Sequence, residues 1–292
     1  ARWWLCTNSF RFKKLCPTAK TPKRACSPSS KNAQRGSLEN SLVKIALLSD
    51  IHANLQALQA CMAHAKAQSI DRWALLGDLV GYGGNPQEVV DIAMRLAEEG
   101  AWIVQGNHDA MAAQPPIDDQ SLGNSTAQWT HEQLGASQRG FLKALPFTAL
   151  SGPLLLVHAS AHAPERWHYV DSERAADLCA DHALQTYDAR HVVVGHVHQQ
   201  TVYYRGTGHS MMRFEPTAGV PVPMPSHRRW VATVGSVGQP RDHKPNAMYA
   251  IYDEAAGRMT FHRVSYDHQA AAAAIREAGL PEFFAERLAL GR

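Results

Sequence analysis

From residue 43 onward the chain alternates between short apolar runs and stretches whose apolar residues recur every three or four positions. Residues 43–49 are almost continuously apolar, which predicts a strand buried on both faces. Leu55, Leu58, Met62 and Ala65 follow at helical spacing. Residues 72–76 predict the next strand. Asn85-Pro86 opens a helix on which Val89, Ile92, Ala93 and Leu96 share a face, with Asn capping and Pro suited to the first turn. Residues 101–105 predict a third strand, and residues 121–145 one or two helices with Trp129, Leu134, Phe141 and Leu145 turned inward.

Further on, residues 154–157 and 191–194 read as short strands separated by a helix over about 172–187. Strands are predicted at 202–205, 229–234, 248–253 and 259–264, close enough in the chain to pair as antiparallel neighbours. Residues 206–228, with four Pro and three Gly, read as an irregular excursion, and residues 270–278 and 281–290 as closing helices. No repeat of 20–50 residues is visible.

Composition divides the chain at residue 40. Before it stand nine Lys or Arg against one Glu, a net +8, and no helical or strand period; the remainder carries −5. Residues 41–292 therefore offer no basic surface for nucleic acid, and none is expected as a specific partner. Residues 1–40 read as an appended basic tail, and residues 41–292 as a single domain. A disordered arm or an upstream start of translation is preferred for the tail over an organelle transit peptide. No apolar stretch approaches the roughly 18 residues of a spanning helix. Cys6, Cys16 and Cys26 lie in the tail, no C-x-x-C exists, and Cys61 and Cys179 fall at apolar helical positions, which points to a reducing, cytoplasmic setting.

The chemistry lies in five clusters in fixed order: Asp50-Ile51-His52, Gly77-Asp78, Gly106-Asn107-His108-Asp109, His158 and Gly195-His196-Val197-His198. Singly each is weak, since a Gly-Asp is commonly a turn and a lone His a satisfied core residue. Together, with most of them just after a predicted strand, they predict a site along one edge of a sheet. Strand residues two apart share a face, so Asp50 and His52 could grip one ion. Asp78 has oxygens enough to bridge two ions, and His196 and His198 could serve different ions if the chain bends there. Four imidazoles, two carboxylates and an amide suit two divalent transition-metal ions, Mn first, with Fe, Zn, Co or Ni as alternatives, better than Ca or Mg.

These clusters, together with Gly81-Tyr82-Gly83 and Gly235-Ser236-Val237-Gly238-Gln239-Pro240-Arg241-Asp242, resemble the motif series of the calcineurin-like metallophosphoesterase superfamily over about residues 43–264, and within it the small prokaryotic YfcE-type phosphodiesterase branch. The resemblance implies an α/β fold, a two-sheet β-sandwich flanked by helices on both outer faces. It implies one ion on Asp50, His52 and His198, a second on Asn107, His158 and His196, and Asp78 bridging. A metal-bridging hydroxide would attack phosphorus, His108 would bind the phosphate and protonate the leaving oxygen, and Asp109 would orient the His108 ring. Tyr82, Asn107 and Arg241 are candidate substrate contacts, with His243 and Lys244 beside Arg241. The Asp-Arg-Gly that follows the second motif in the superfamily's protein serine/threonine phosphatases and dinucleoside-tetraphosphate hydrolases is replaced here by Gly81-Tyr82-Gly83, which argues against both identities.

Competing motifs fail: Val234 stands where G-x-S-x-G needs its first Gly, and no phosphate-binding G-x-x-x-x-G-K-[ST] exists. The expected function is hydrolysis of a phosphodiester or small phosphomonoester. The alternative is a non-catalytic protein-binding scaffold that keeps the fold, as the retromer subunit resembling this family does. Retention of Asn107, His108 and Asp109 favours the enzyme.

Overall fold

The computed structural model describes residues 43–116, 122–208 and 210–292, without the side chains of 122–125. The basic tail and its three cysteines lie outside the described residues. In chain order the elements are β1 (Lys44–Leu48), α1 (Leu55–Ala67), β2 (Arg72–Leu75), α2 (Pro86–Glu98), β3 (Trp102–Ile103), α3 (Asn107–Ala113), α4 (Leu122–Gln133), α5 (Ala136–Ala144), β4 (Thr148–Ser151) and β5 (Leu154–Val157). A 3-10 turn (Pro164–Arg166) leads to α6 (Glu173–Tyr187), β6 (His191–Val194), β7 (Gln200–Arg205), β8 (Met211–Phe214), β9 (Pro221–Pro223), β10 (Trp230–Val234), β11 (Ala247–Asp253), β12 (Arg258–Val264), α7 (His268–Glu277) and α8 (Glu282–Leu290).

The strands form two mixed six-stranded sheets, ordered β3-β2-β1-β11-β12-β9 and β4-β5-β6-β10-β7-β8. Side-chain alternation along single strands builds the layers. Ile45 and Leu47 of β1, Leu154 and Leu156 of β5 and Trp230, Ala232 and Val234 of β10 meet between the sheets. The intervening Ala46 and Leu48 face Ala57, Leu58 and Cys61 of α1 and Val89, Val90 and Ala93 of α2 on one outer side. Leu155 and Val157 face Ala176, Cys179, Ala180 and Ala183 of α6 on the other. The continuous apolar runs in the sequence are thus strands covered on both faces, and each fully buried Leu or Ile contributes roughly 1.5–3 kcal/mol. Cys61 and Cys179 are buried free thiols in α1 and α6.

Several expectations are corrected. The strands of the second half pair antiparallel as expected, β7 with β10 and β11 with β12, but the two pairs belong to different sheets, and β10 also runs parallel to β6. The excursion over 206–228 contains β8 and β9, short and mostly exposed edge strands. Asn85 occupies the N-cap of α2 beside Pro86, yet its side chain makes no cap hydrogen bond and its amide donates to Glu88 Oε1 at 3.3 Å.

Three strands in each sheet run parallel, β1, β2 and β3 in the first and β5, β6 and β10 in the second. The six loops that follow them build the site.

Candidate metal centre

Every cluster singled out in the sequence sits just past the C-terminal end of one of these strands. The site therefore lies between the ends of two sheets, rather than along one edge of a single sheet: His158, His196 and His198 come from the second sheet and the other four candidate ligands from the first. Strand periodicity is not what pairs Asp50 with His52. β1 ends at Leu48, and both residues have left-handed backbones, φ 53° and 50°. Asp78, His196 and His198 are left-handed as well, φ 50°, 64° and 62°. Such residues cost on the order of 1–2 kcal/mol each, and Asp and His are among the side chains that tolerate them.

Hydrogen bonds between loops hold these conformations. Asp50 N donates to Gly77 O (3.0 Å), His52 N to Asp78 O (2.9 Å), Gly195 N to His158 O (2.8 Å) and Gly238 N to Asp50 O (2.9 Å). Gly195 has to be glycine, because a Cβ there would overlap the Ser49 hydroxyl and the Asp50 carboxylate. Gly81, at φ +93°, would place a Cβ 2.7 Å from His108 Nδ1.

The loops bring the seven candidate ligands together. Asp50, His52 and His198 form one group of donor atoms, and Asp50, Asp78, His158 and His196 another. His198 Nε2 is 3.2 Å from both Asp50 Oδ1 and His52 Nε2. His158 Nε2 is 3.4 Å from Asp78 Oδ2, 3.2 Å from Asn107 Oδ1 and 3.1 Å from His196 Nδ1. Apart from Asn107, all are buried.

The backbone decides which ring nitrogens face inward. His52 Nδ1 lies 3.2 Å from Val80 O, His158 Nδ1 2.7 Å from Leu76 O and His198 Nδ1 2.6 Å from Gln239 O. A carbonyl oxygen only accepts, so each Nδ1 carries a proton; His52 and His198 turn the lone pairs of Nε2 toward each other, and His158 turns its Nε2 toward Asp78. His52 and His198 then hold two lone pairs 3.2 Å apart, and Asp50 Oδ1 beside them is buried without a hydrogen-bond partner. Facing lone pairs and an orphaned carboxylate oxygen are unfavourable unless a cation joins them. The donor set fits metal ions.

Burial and neighbouring charge set the protonation states. Burial opposes ionisation of Asp50, but the closeness of the His198 ring, 3.2 Å away, outweighs it and holds the carboxyl below the usual range; His158 and His108 do the same for Asp78. Burial keeps His52 and His108 below their ordinary values and, together with His158, lowers His196 to about 4. For His158 burial is outweighed by Asp78, which raises the ring to about 9. The carboxylates concentrate negative charge on a water-poor centre.

His108, at the start of α3, meets the His52 ring edge-on at 5.1 Å and lies 4.4 Å from the Tyr82 ring. Among the described residues the hydrogen bonds of the Asp109 carboxylate go to backbone rather than to the His108 ring. Its oxygens accept the backbone N–H groups of Leu79 (2.8 Å), Val80 (3.3 Å) and Gly106 (2.9 Å), so it ties the loop after β2 to the start of α3. Arg241 lies beside His198, its backbone N donating to His198 O at 3.4 Å and its guanidinium to Gln239 Oε1 at 2.9 Å. His243 and Lys244 are exposed, and His243 N donates to Gly291 O beyond α8.

Sequence reasoning missed several residues. Ser236 Oγ donates to Asp50 O at 2.8 Å and accepts from Gln239 N at 2.8 Å, and Gln239 supplies the carbonyl for His198. Their motif was visible, though the buttressing was not. Trp167, Tyr169 and Phe284 carried no signal, since each meets its partner, Phe147, His196 or Tyr82, only in the folded chain.

Residues 43–257 match the family model described as the calcineurin-like phosphoesterase superfamily domain. An uncharacterized protein of Methanocaldococcus jannaschii is 32% identical over 254 residues, covering 85% of this chain and 98% of the relative. The crystal structure of a metallophosphoesterase from Sphaerobacter thermophilus is 35% identical, with a TM-score of 0.75 over 86% of this chain and 99% of that one. A hypothetical protein of Pyrococcus horikoshii shares the fold at 20% identity and a TM-score of 0.68, over 86% of this chain and 99% of that one.

Proposed function

We propose, since the chain belongs to the calcineurin-like phosphoesterase superfamily, that it is a dinuclear metal-dependent hydrolase of a phosphodiester or small phosphomonoester. The observation that carries this reading is the pair of Nε2 lone pairs on His52 and His198 beside the orphaned Asp50 oxygen. Asp50, His52 and His198 would hold one divalent transition-metal ion, Asn107, His158 and His196 a second, and Asp78 would bridge. Two such ions, Mn first among the candidates, lower the pKa of a shared water and offset charge developing on phosphoryl oxygens.

The protein's own groups divide the remaining work. Hydrogen bonds from His52, His158 and His198 Nδ1 to carbonyls orient the rings whose Nε2 atoms would meet the ions. His108, kept neutral by burial in the free site, gains a proton when an anionic ester lies against it and passes that proton to the leaving oxygen. Tyr82 walls the same side. Free buried thiols at Cys61 and Cys179 fit a reducing, cytoplasmic setting. Among the described residues no helix is long and apolar enough to cross a membrane.

The test is to strip the protein with chelator, reload it with Mn, Co, Ni, Fe or Zn, count bound ions, and assay cyclic nucleotides, dinucleotides, monophosphates and aryl diesters. Two ions per chain and restored hydrolysis are expected. Full activity without retained metal overturns the proposal, and two bound ions with no hydrolysis of any ester returns the chain to the scaffold reading.

A further inference from the structure

The loop after β5 carries more than His158. It turns through Pro164–Arg166 with left-handed residues at both ends, Ala163 at φ 48° and Trp167 at φ 55°. For a side chain as bulky as Trp this conformation is disfavoured, and such outliers gather where function holds them. The result places Trp167 edge-on to His158 at 5.8 Å and against Phe147 at 5.6 Å. Two residues later the Tyr169 ring lies flat on His196, centroids 4.1 Å apart and planes 25° from parallel.

None of these three aromatics belongs to the four apolar clusters that hold the fold. Tyr169 is 53% exposed and Phe147 41%. These partly exposed rings, packed against two candidate metal ligands, are available to a ligand at the centre. His108 and Tyr82 lie against His52, whereas Trp167 lies against His158 and Tyr169 against His196. A substrate with its phosphoryl group at the centre can therefore lay one ester substituent on each side.

We propose that Trp167 and Tyr169, with Phe147 behind them, are specificity-determining residues that bracket a flat aromatic group on the retained side of a phosphodiester. This rests on the phosphoesterase reading above and names its substrate class. The ring can belong to an aryl ester or to a nucleobase, because both offer the same π face.

Three diesters with one leaving group separate the possibilities: the 4-nitrophenyl esters of methyl phosphate, phenyl phosphate and thymidine 5′-phosphate, assayed with the Mn-loaded full chain. With 4-nitrophenolate leaving in each case, only the retained group differs. We expect kcat/KM to favour an aromatic arm over methyl by about tenfold, mainly through KM, the scale of one stacked ring. Trp167→Ala and Tyr169→Ala should erase most of that ratio, and Tyr169→Phe should preserve it. Preference for thymidine alone that is lost in both Ala variants assigns a nucleobase, and preference for both rings assigns any flat ring. A wild-type ratio near one, or a ratio unmoved in both Ala variants, overturns the bracket. Calorimetric binding of phenylphosphonate against methylphosphonate keeps the test independent of turnover. If no ester is hydrolysed, the hydrolase reading fails, while tighter phenylphosphonate binding lost in the Ala variants supports the bracket and equal binding of the two overturns it.

Discussion

The Tyr82 ring stacks on Phe284 of α8, centroids 5.0 Å apart and planes 28° from parallel, while Tyr82 also lies 4.7 Å from His52 and 4.4 Å from His108. A helix at the far end of the sequence thereby props the loop that follows β2. Phe284 is fully buried in the small cluster of α7 and α8. Phe284→Ala should cost about 3–5 kcal/mol of stability and Phe284→Leu less, read from denaturant midpoints. If α8 positions Tyr82 as the stack implies, KM for a phosphate ester should rise in Phe284→Ala at temperatures where the variant is still folded.

Asp78, like Asp50, lies beside donor atoms from both halves of the centre. Its Oδ1 accepts the His108 backbone N–H at 2.8 Å, and its Oδ2 lies 3.4 Å from His158 Nε2 and 3.9 Å from His52 Nε2. Asp78→Asn keeps the shape and removes the charge. Metal content after dialysis should fall below two ions per chain, and metal affinity should drop by more than the roughly 10–100-fold typical of outer-sphere partners. Retention of two ions at wild-type affinity would remove the bridging role.

His108 and Asp109 should separate into a kinetic and a structural residue. His108→Ala should retain metal and slow esters of poor alkyl leaving groups about 10²–10⁴-fold, with much smaller losses on 4-nitrophenyl esters that need no proton. Asp109→Asn should act mainly on stability. Both its oxygens accept backbone N–H groups, so an amide nitrogen in either place meets a donor, at a cost of about 1–3 kcal/mol. A leaving-group dependence in Asp109→Asn at unchanged stability would restore the ring-orienting role.

Acid sensitivity should arise partly far from the metal centre. His262 of β12 stacks on Tyr249 at 4.9 Å and lies 5.0 Å from the His64 ring. Burial first, and His64 second, lower it to about 4 from 6.5. The unfolded chain therefore binds a proton that the folded one refuses between these values, so stability is complete above about pH 6.5 and declines as pH falls toward 4. His262→Phe should flatten that decline in urea midpoints measured from pH 4 to 8. Identical slopes in the two proteins would show that His262 does not titrate with folding.

Much of this protein was legible from local sequence. Strands covered on both faces announce themselves as unbroken apolar runs, which is why residues 154–157 and 191–194 matched β5 and β6 to the residue. The order of the five clusters likewise named the side chains that now surround one centre. What the tertiary structure decided was everything set by distant partners. Assignment of β7 and β11 to different sheets depends on pairing, which leaves no local period. The left-handed turn at His52 depends on a hydrogen bond to Asp78 O, and the ring orientation of His198 on Gln239 O. Asp109 looked like a partner for its neighbour in sequence, yet its carboxylate is occupied by N–H groups about thirty residues away. Periodicity reports which side of an element meets the core, because that depends on a few adjacent residues. Backbone strain, tautomers and the aromatic rim depend on which loops the two sheets bring together, and only the folded chain supplies those neighbours.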